Sequence, residues 1–294
     1  LHAAMIFPTL ASVIEERIGA RGDVTAALFH SLNQWIVDEW GFAREDRLFA
    51  VPFISLTDVD KAVEELEFVL RHGARTVNIR PAPVPDIRGS RSFGFEEYDP
   101  FWARVAEAGI FVSLHGSDSG YDRITGWWSG GHGEYRPFIA DTFRATVDMI
   151  GRAISDSISA LICHGVLERF PDLKFSLTEG DIGWIPYFLW RAEHVNERHG
   201  GWINHDFSKT GGPTQIFNDH ILVCFIKETI GVELIDHFNI DNVCWESDYP
   251  HSDSSWPEGP EKLWELVADL DSDTIDRITH GNAIDAYRFD PFSV

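Results

Sequence analysis

Short apolar runs alternate along the chain with longer stretches in which apolar residues recur at helical spacing. Seven runs read as strands: residues 3–7 (AAMIF), 47–56 (RLFAVPFISL), 75–81 (RTVNIRP), 109–116 (GIFVSLHG), 160–165 (ALICHG), 173–180 (LKFSLTEG) and 242–248 (NVCWESD). Each is continuous rather than alternating, as expected of parallel strands covered on both faces. Between the second and third, Val59, Ala62, Val63, Leu66, Val69 and Leu70 share one helical face. Thr57 and Asp60 make a capping-box pattern at its start, and Gly73 ends it. Asp99-Pro100 opens a second helix that Gly109 closes, and further helices fit 139–156, 183–199 and 257–269.

Repeated β–α units predict a parallel α/β fold in one domain spanning residues 1–294. No glycine-rich phosphate fingerprint follows a strand, which argues against an open doubly wound sheet. Polar residues gather instead after many different strands: Arg80, His115, His164, Glu179 and Asp248. A (β/α)8 TIM barrel brings such positions together at its C-terminal rim. Seven strands leave the barrel one short, and the missing strand is expected before residue 1. The chain starts at Leu1 without an initiator Met or a leader, which fits that expectation.

His115, His164 and Asp248 each end an apolar run. One histidine in such a place is more often structural than a ligand, but three rim residues converge in a barrel. Imidazole with carboxylate suits a divalent metal, zinc first and manganese second, which makes hydroxide from water or polarises a substrate oxygen. A rival reading pairs Glu179 and Glu246 as the acid and nucleophile of a glycosidase, with the eleven tryptophans as sugar platforms. That reading leaves both histidines unexplained. Residues 116–137, rich in glycine and aromatics, read as a lid-like insertion in which Trp127, Trp128 and Tyr135 either cover a substrate or pack on the rim. Arg80 is placed either to bind a substrate carboxylate or to neutralise an acidic rim. His251, behind the rigid proline of DYPH, is placed to bind substrate and carry protons.

The expected partner is a small-molecule substrate, and composition argues against two other classes. With 47 acidic against 24 basic residues the net charge is −23, which argues against nucleic acid and against anionic membrane surfaces. No apolar run reaches the length of a membrane span. Cys163, Cys224 and Cys244 have no metal or redox spacing and fit a reducing cytoplasm.

The segments HGVLERFPDLKFSLTEGDIGWIPYFLWRAEH, WESDYPHSDSSWP and HGNAIDAYRF resemble the amidohydrolase-related branch of the amidohydrolase superfamily. That branch includes aminocarboxymuconate-semialdehyde decarboxylase and the γ-resorcylate-type decarboxylases. The resemblance runs over nearly the whole chain. It implies a metal-bearing barrel with His115 and Asp248 as ligands and His164 as a catalytic base. It implies hydrolysis or non-oxidative decarboxylation of a small carboxylate or cyclic substrate, and homodimers formed through outer helices. One departure stands out: the family's first-strand His/Glu-x-His ligand pair has no match in this sequence. A degenerate, metal-free barrel that binds a ligand is therefore the alternative outcome.

Overall fold

The structure is a computed structural model that describes residues 2–116, 118–128, 142–202 and 206–289. Seven parallel strands follow one another in chain order: β1 (Ala4–Ile6), β2 (Leu48–Ala50), β3 (Thr76–Ile79), β4 (Phe111–His115), β5 (Lys174–Thr178), β6 (Ile221–Phe225) and β7 (Val243–Trp245). The first two form one ladder and the last five another. The chain just past β2 joins them, since the Asn78 N–H donates to the Pro52 carbonyl and Ile54 N–H donates to the Asn78 carbonyl. Among the described residues no ladder links β1 to β7.

Helices α1 (Thr9–Ile18), α2 (Gly22–Glu39) and α3 (Val59–Arg71) flank the first strands. They are followed by α4 (Asp99–Ala108), α5 (Asp122–Trp128), α6 (Thr142–Cys163), α7 (Val166–Arg169), α8 (Ile185–His199) and α9 (Pro213–His220). The chain ends with α10 (Thr229–Glu233), α11 (Gly259–Val267), α12 (Ser272–Asp276) and α13 (Asn282–Tyr287). Their apolar faces meet the outward side of the strands in one large cluster that includes Leu66, Val69, Trp102, Ile158, Leu177 and Val223. Trp102 is its largest fully buried side chain, and its indole N–H donates to the Phe93 carbonyl at 2.8 Å, so the ring is buried without an orphaned donor.

Local signals explain most helix ends. Asp58, rather than Thr57, caps α3, accepting from Lys61 N–H at 3.1 Å, while Thr57 bonds to the Ser55 hydroxyl. Pro100 sits in the first turn of α4, and Gly109 ends that helix in the left-handed conformation at φ 61°.

Two strand expectations need correction. Residues 160–163 are the last turn of α6, not a strand. Ile154, Ile158, Leu161 and Ile162 recur at helical spacing and bury one face, and a short apolar run at the end of such a helix mimics a strand. The seventh strand is β6, the buried run ILVCF that the pattern reading passed over.

At one end of the strands a second cluster closes the interior. Tyr287 packs with Leu222, Cys224 and Cys244, and Met5, Phe111 and Phe289 lie against them. Arg75, just before β3, donates to the Arg288 carbonyl and lies over the Phe49 ring. The opposite, C-terminal end carries the candidate chemistry.

His220 ends α9 buried, with Nδ1 2.6 Å from the Leu173 carbonyl. Burial lowers its pKa, outweighing the carbonyl. Unfolding lets this ring take up protons that the folded protein refuses. Its contribution is complete above the ordinary histidine range of about 6.5 and is lost as pH falls below it. The drop in Tm between about pH 7.5 and pH 5 should therefore be smaller in His220→Gln than in the native protein. Equal drops would remove His220 from the acid response.

Candidate active site

At the C-terminal ends of β4, β5 and β7, the chain brings four titratable side chains together. His115 ends β4 and is 4% exposed. Its ring stacks on Phe7, with centroids 4.9 Å apart and planes 9° from parallel, so packing fixes its orientation. Its Nε2 lies 3.2 Å from Oε1 of Glu179, the residue that follows β5. The same oxygen lies 3.3 Å from His251 Nδ1, and that nitrogen is 2.8 Å from Asp248 Oδ1.

The backbone is bent to make this arrangement. Glu179 at φ 56° and Asp248 at φ 51° both occupy the left-handed region, which costs a side-chain-bearing residue about 1–2 kcal/mol. Strain of this kind collects where side chains must be aimed. Glu246 supports the first bend, because its Oε1 accepts the Glu179 backbone N–H at 2.7 Å. Glu228 holds the next turn by accepting from the Ile182 and Gly183 N–H groups. At position 116 a Cβ would come within 2.9 Å of Glu179 Oε2, so only glycine lets β4 end this close to that carboxylate.

The charges are unequal by design of the environment. Burial opposes ionisation of Glu179, but the hydrogen bond and charge of His115, the hydrogen bond of Asp248 and the charge of His251 win and hold it at about 2. Asp248 moves the other way: burial, then the hydrogen bond and charge of Glu179, push it up to about 7 despite His251. The two carboxyls thus behave as a pair that keeps one proton, carried on Asp248. Burial also drives Glu246 well above the carboxylate range. Asp181, nearby in sequence, is raised to about 6 by burial and by Glu228 and Asp253.

Glu179, Asp248 and His251 each offer an atom within 4.8 Å of the others, the spacing of a shared cation site. His115 adds a second imidazole through Glu179. Two crowded carboxyls with a trapped proton are a negative excess that a divalent cation relieves, and mixed N and O donors suit zinc or manganese. The donor set therefore fits such an ion.

The expected residues fall into place unevenly. His115, Asp248 and His251 come together at the rim around Glu179. His164 does not join them. It follows α6, its Nδ1 is 2.7 Å from the Ser92 hydroxyl and its ring lies on Phe95. It lines an open groove of about 420 Å³ with Arg91, Phe95, Glu96, Glu97 and Arg169. The residue that follows the next strand, β5, is Glu179. Arg80 follows β3 but is 5% exposed, with Nε 3.0 Å from Glu15 Oε2 and an ion pair to Glu16, so α1 already occupies it. Trp127 and Trp128 end α5 with 70% and 72% exposure. Tyr135 and most of the expected lid lie outside the described residues.

Glu179 is the residue that pattern reading underrated. Its position after a continuous apolar run was visible, but its partners come from two other strands. The glycosidase pairing finds no support, since Glu246 is spent on the Glu179 backbone and Glu179 is held by two imidazoles.

Parallel strands with imidazole and carboxylate groups gathered at their C-terminal rim are the architecture of an amidohydrolase-type α/β enzyme, and a family model matches accordingly. A family model described as amidohydrolase matches residues 9–289, and the chain belongs to that family. It is 31% identical to an amidohydrolase from Mycobacterium avium subsp. paratuberculosis K-10, with a TM-score of 0.84 over 98% of this chain and 71% of that one. It shares its fold with a dihydroxybenzoic acid decarboxylase from Polaromonas sp. JS666 seen with bound manganese and 2-nitroresorcinol. There the identity is 17% and the TM-score 0.64, over 95% of this chain and 79% of that one. Among curated proteins, Decarboxylase orsB of Emericella nidulans is 25% identical over 166 residues, which is 52% of this chain. The matched segment spans 41% of that relative's length. Among the described residues no helix is long and apolar enough to cross a membrane.

Proposed function

We propose that the protein catalyses the metal-dependent, non-oxidative decarboxylation of a small aromatic or unsaturated carboxylate. The observation that carries this reading is the rim cluster itself, in which Glu179, Asp248 and His251 share the spacing of a cation site and partly exposed His251 stands beside both carboxyls. Decarboxylation places one proton per turnover on carbon, and His251 is placed to bring it from solvent.

His115, Glu179 and Asp248 would hold the divalent ion, zinc first and manganese second, with His251 beside them. When bound, that ion supplies an electrophilic anchor for the substrate carboxylate or a neighbouring hydroxyl. Gly116 and the Phe7–His115 stack keep the floor of the site tightly packed. His251, partly exposed and oriented by Asp248 Oδ1 at 2.8 Å, takes a proton from solvent and passes it to the substrate carbon. As the new C–H bond forms, the C–C bond to the carboxylate breaks. Its electron pair returns to the ring or alkene, and CO2 leaves.

Likeness to proteins whose names include decarboxylases supports this choice, as does the manganese in one of them. Hydrolysis of a cyclic amide or ester is the second reading, favoured by the amidohydrolase at 31% identity. The deciding experiment follows CO2 release from a panel of hydroxybenzoates, and ring opening of lactones and cyclic amides, with stripped protein and with zinc or manganese restored. Metal-restored CO2 release establishes decarboxylation. Metal-restored ring opening with no CO2 overturns it in favour of hydrolysis. No turnover of either kind at full metal occupancy favours a non-catalytic barrel.

A further inference from the structure

Away from the carboxylate rim, a serine and a histidine meet as a pair. Ser92 lies in the long segment between β3 and α4, and His164 directly follows α6. Ser92 Oγ is 2.7 Å from His164 Nδ1 and also accepts the Gly94 N–H at 3.1 Å. Among the described residues Nδ1 is the acceptor within reach of the Ser92 hydroxyl hydrogen. Burial, and then the charge of Arg169, lower the His164 pKa, so the ring is neutral and Nδ1 can take that hydrogen bond. A hydroxyl handed to a neutral imidazole is an activated nucleophile.

The surroundings fix both partners. Arg169 Nη1 donates to the His164 carbonyl at 2.7 Å, and Nη2 donates to the Gly94 carbonyl at 2.9 Å. Both oxygens of Asp99 hold that guanidinium in turn. A Cβ at Gly94 would come within 2.8 Å of the Ala160 carbonyl oxygen and 2.9 Å of His164 Cβ, so glycine lets the serine loop approach the histidine. The Phe95 ring lies on the imidazole with centroids 4.6 Å apart. A serine that only capped its loop would need the Gly94 N–H alone. It would need neither an imidazole on Oγ nor a clamp shared with that imidazole.

We propose that Ser92 and His164 form a second, metal-independent site that hydrolyses small carboxylic esters through an acyl-serine. His164 lines the open groove of about 420 Å³ with Arg91 and Phe95, and half-buried Ser92 adjoins Arg91 in the chain. Ser92 Oγ bonds to the ester carbonyl carbon as its proton passes to His164 Nδ1. The C–O bond to the alcohol then breaks, and the departing oxygen takes that proton. Water attacks the acyl-serine and gives a proton to Nδ1, which returns it to Oγ as the carboxylic acid leaves. The Gly94 N–H beside Oγ is the donor at hand for the negative oxygen, and Arg91 adds positive charge to the groove. With no carboxylate behind the imidazole, the pair suits esters, whose alcohols leave readily, rather than amides.

A fluorophosphonate probe and p-nitrophenyl acetate, used on the full chain in EDTA, test this. One phosphonyl group per chain is expected, mapped to Ser92 by peptide mass spectrometry, with ester hydrolysis unchanged by the chelator. Ser92→Ala should abolish labelling and lower hydrolysis at least about a hundredfold, and His164→Gln should lower it about as much. The position of the label on native protein decides independently of how the variants fold. No label, a label at another residue, or hydrolysis that persists in Ser92→Ala overturns the proposal.

Discussion

Glu179→Gln should abolish turnover, by about two to four orders of magnitude, and lower the metal content of the purified protein. The substitution keeps the side chain's size and removes its charge. His115 Nε2 and His251 Nδ1 both lose the anion they share, and Asp248 loses the neighbour that keeps its proton in place. The backbone bond from Glu179 N–H to Glu246 is untouched, so the strand end should stay folded. Turnover, metal per chain and circular dichroism should be read together. A variant with full metal and a rate within about tenfold of native would remove Glu179 from the centre of the site.

Arg80→Ala should cost about 3–5 kcal/mol of stability, measured by urea unfolding. The guanidinium ties β3 to Glu15 and Glu16 of α1 and also donates to the Pro83 carbonyl at 3.2 Å. Glu15 is buried, and burial already raises its pKa against the pull of Arg80. Without the arginine it must take a proton or remain an unpaired buried charge. Adding Glu15→Gln to the variant should recover part of the loss. A substrate-binding arginine would behave differently, raising KM with stability unchanged, and that result would return Arg80 to the binding role its position suggested.

The fold was largely legible because continuous apolar runs bounded by turn residues are what parallel strands between helical layers require. β1 to β5 and β7 came from such runs. The exchange of residues 160–165 for β6 shows the limit, since five apolar residues look alike at the end of a long helix and in a strand. The site was legible only in part. His115, Asp248 and His251 follow from strand ends and a rigid turn. The burial of Arg80 depends on a helix some sixty residues earlier, and the pairing of Glu179 with two histidines depends on register across three strands. Neither relation leaves a mark in local sequence. His164 was misplaced by the same error as its strand.

The aromatic cluster of Tyr287, Phe111 and Phe289 fills one end of the strand array. With that end filled and the titratable groups at the other, substrate arriving and product leaving would share the C-terminal rim in the proposed reaction. In the proposed decarboxylation, the aromatic product and the next substrate would compete for that rim as well as for the site. Accumulated product should then slow the reaction in proportion to how long its ring lingers at the rim.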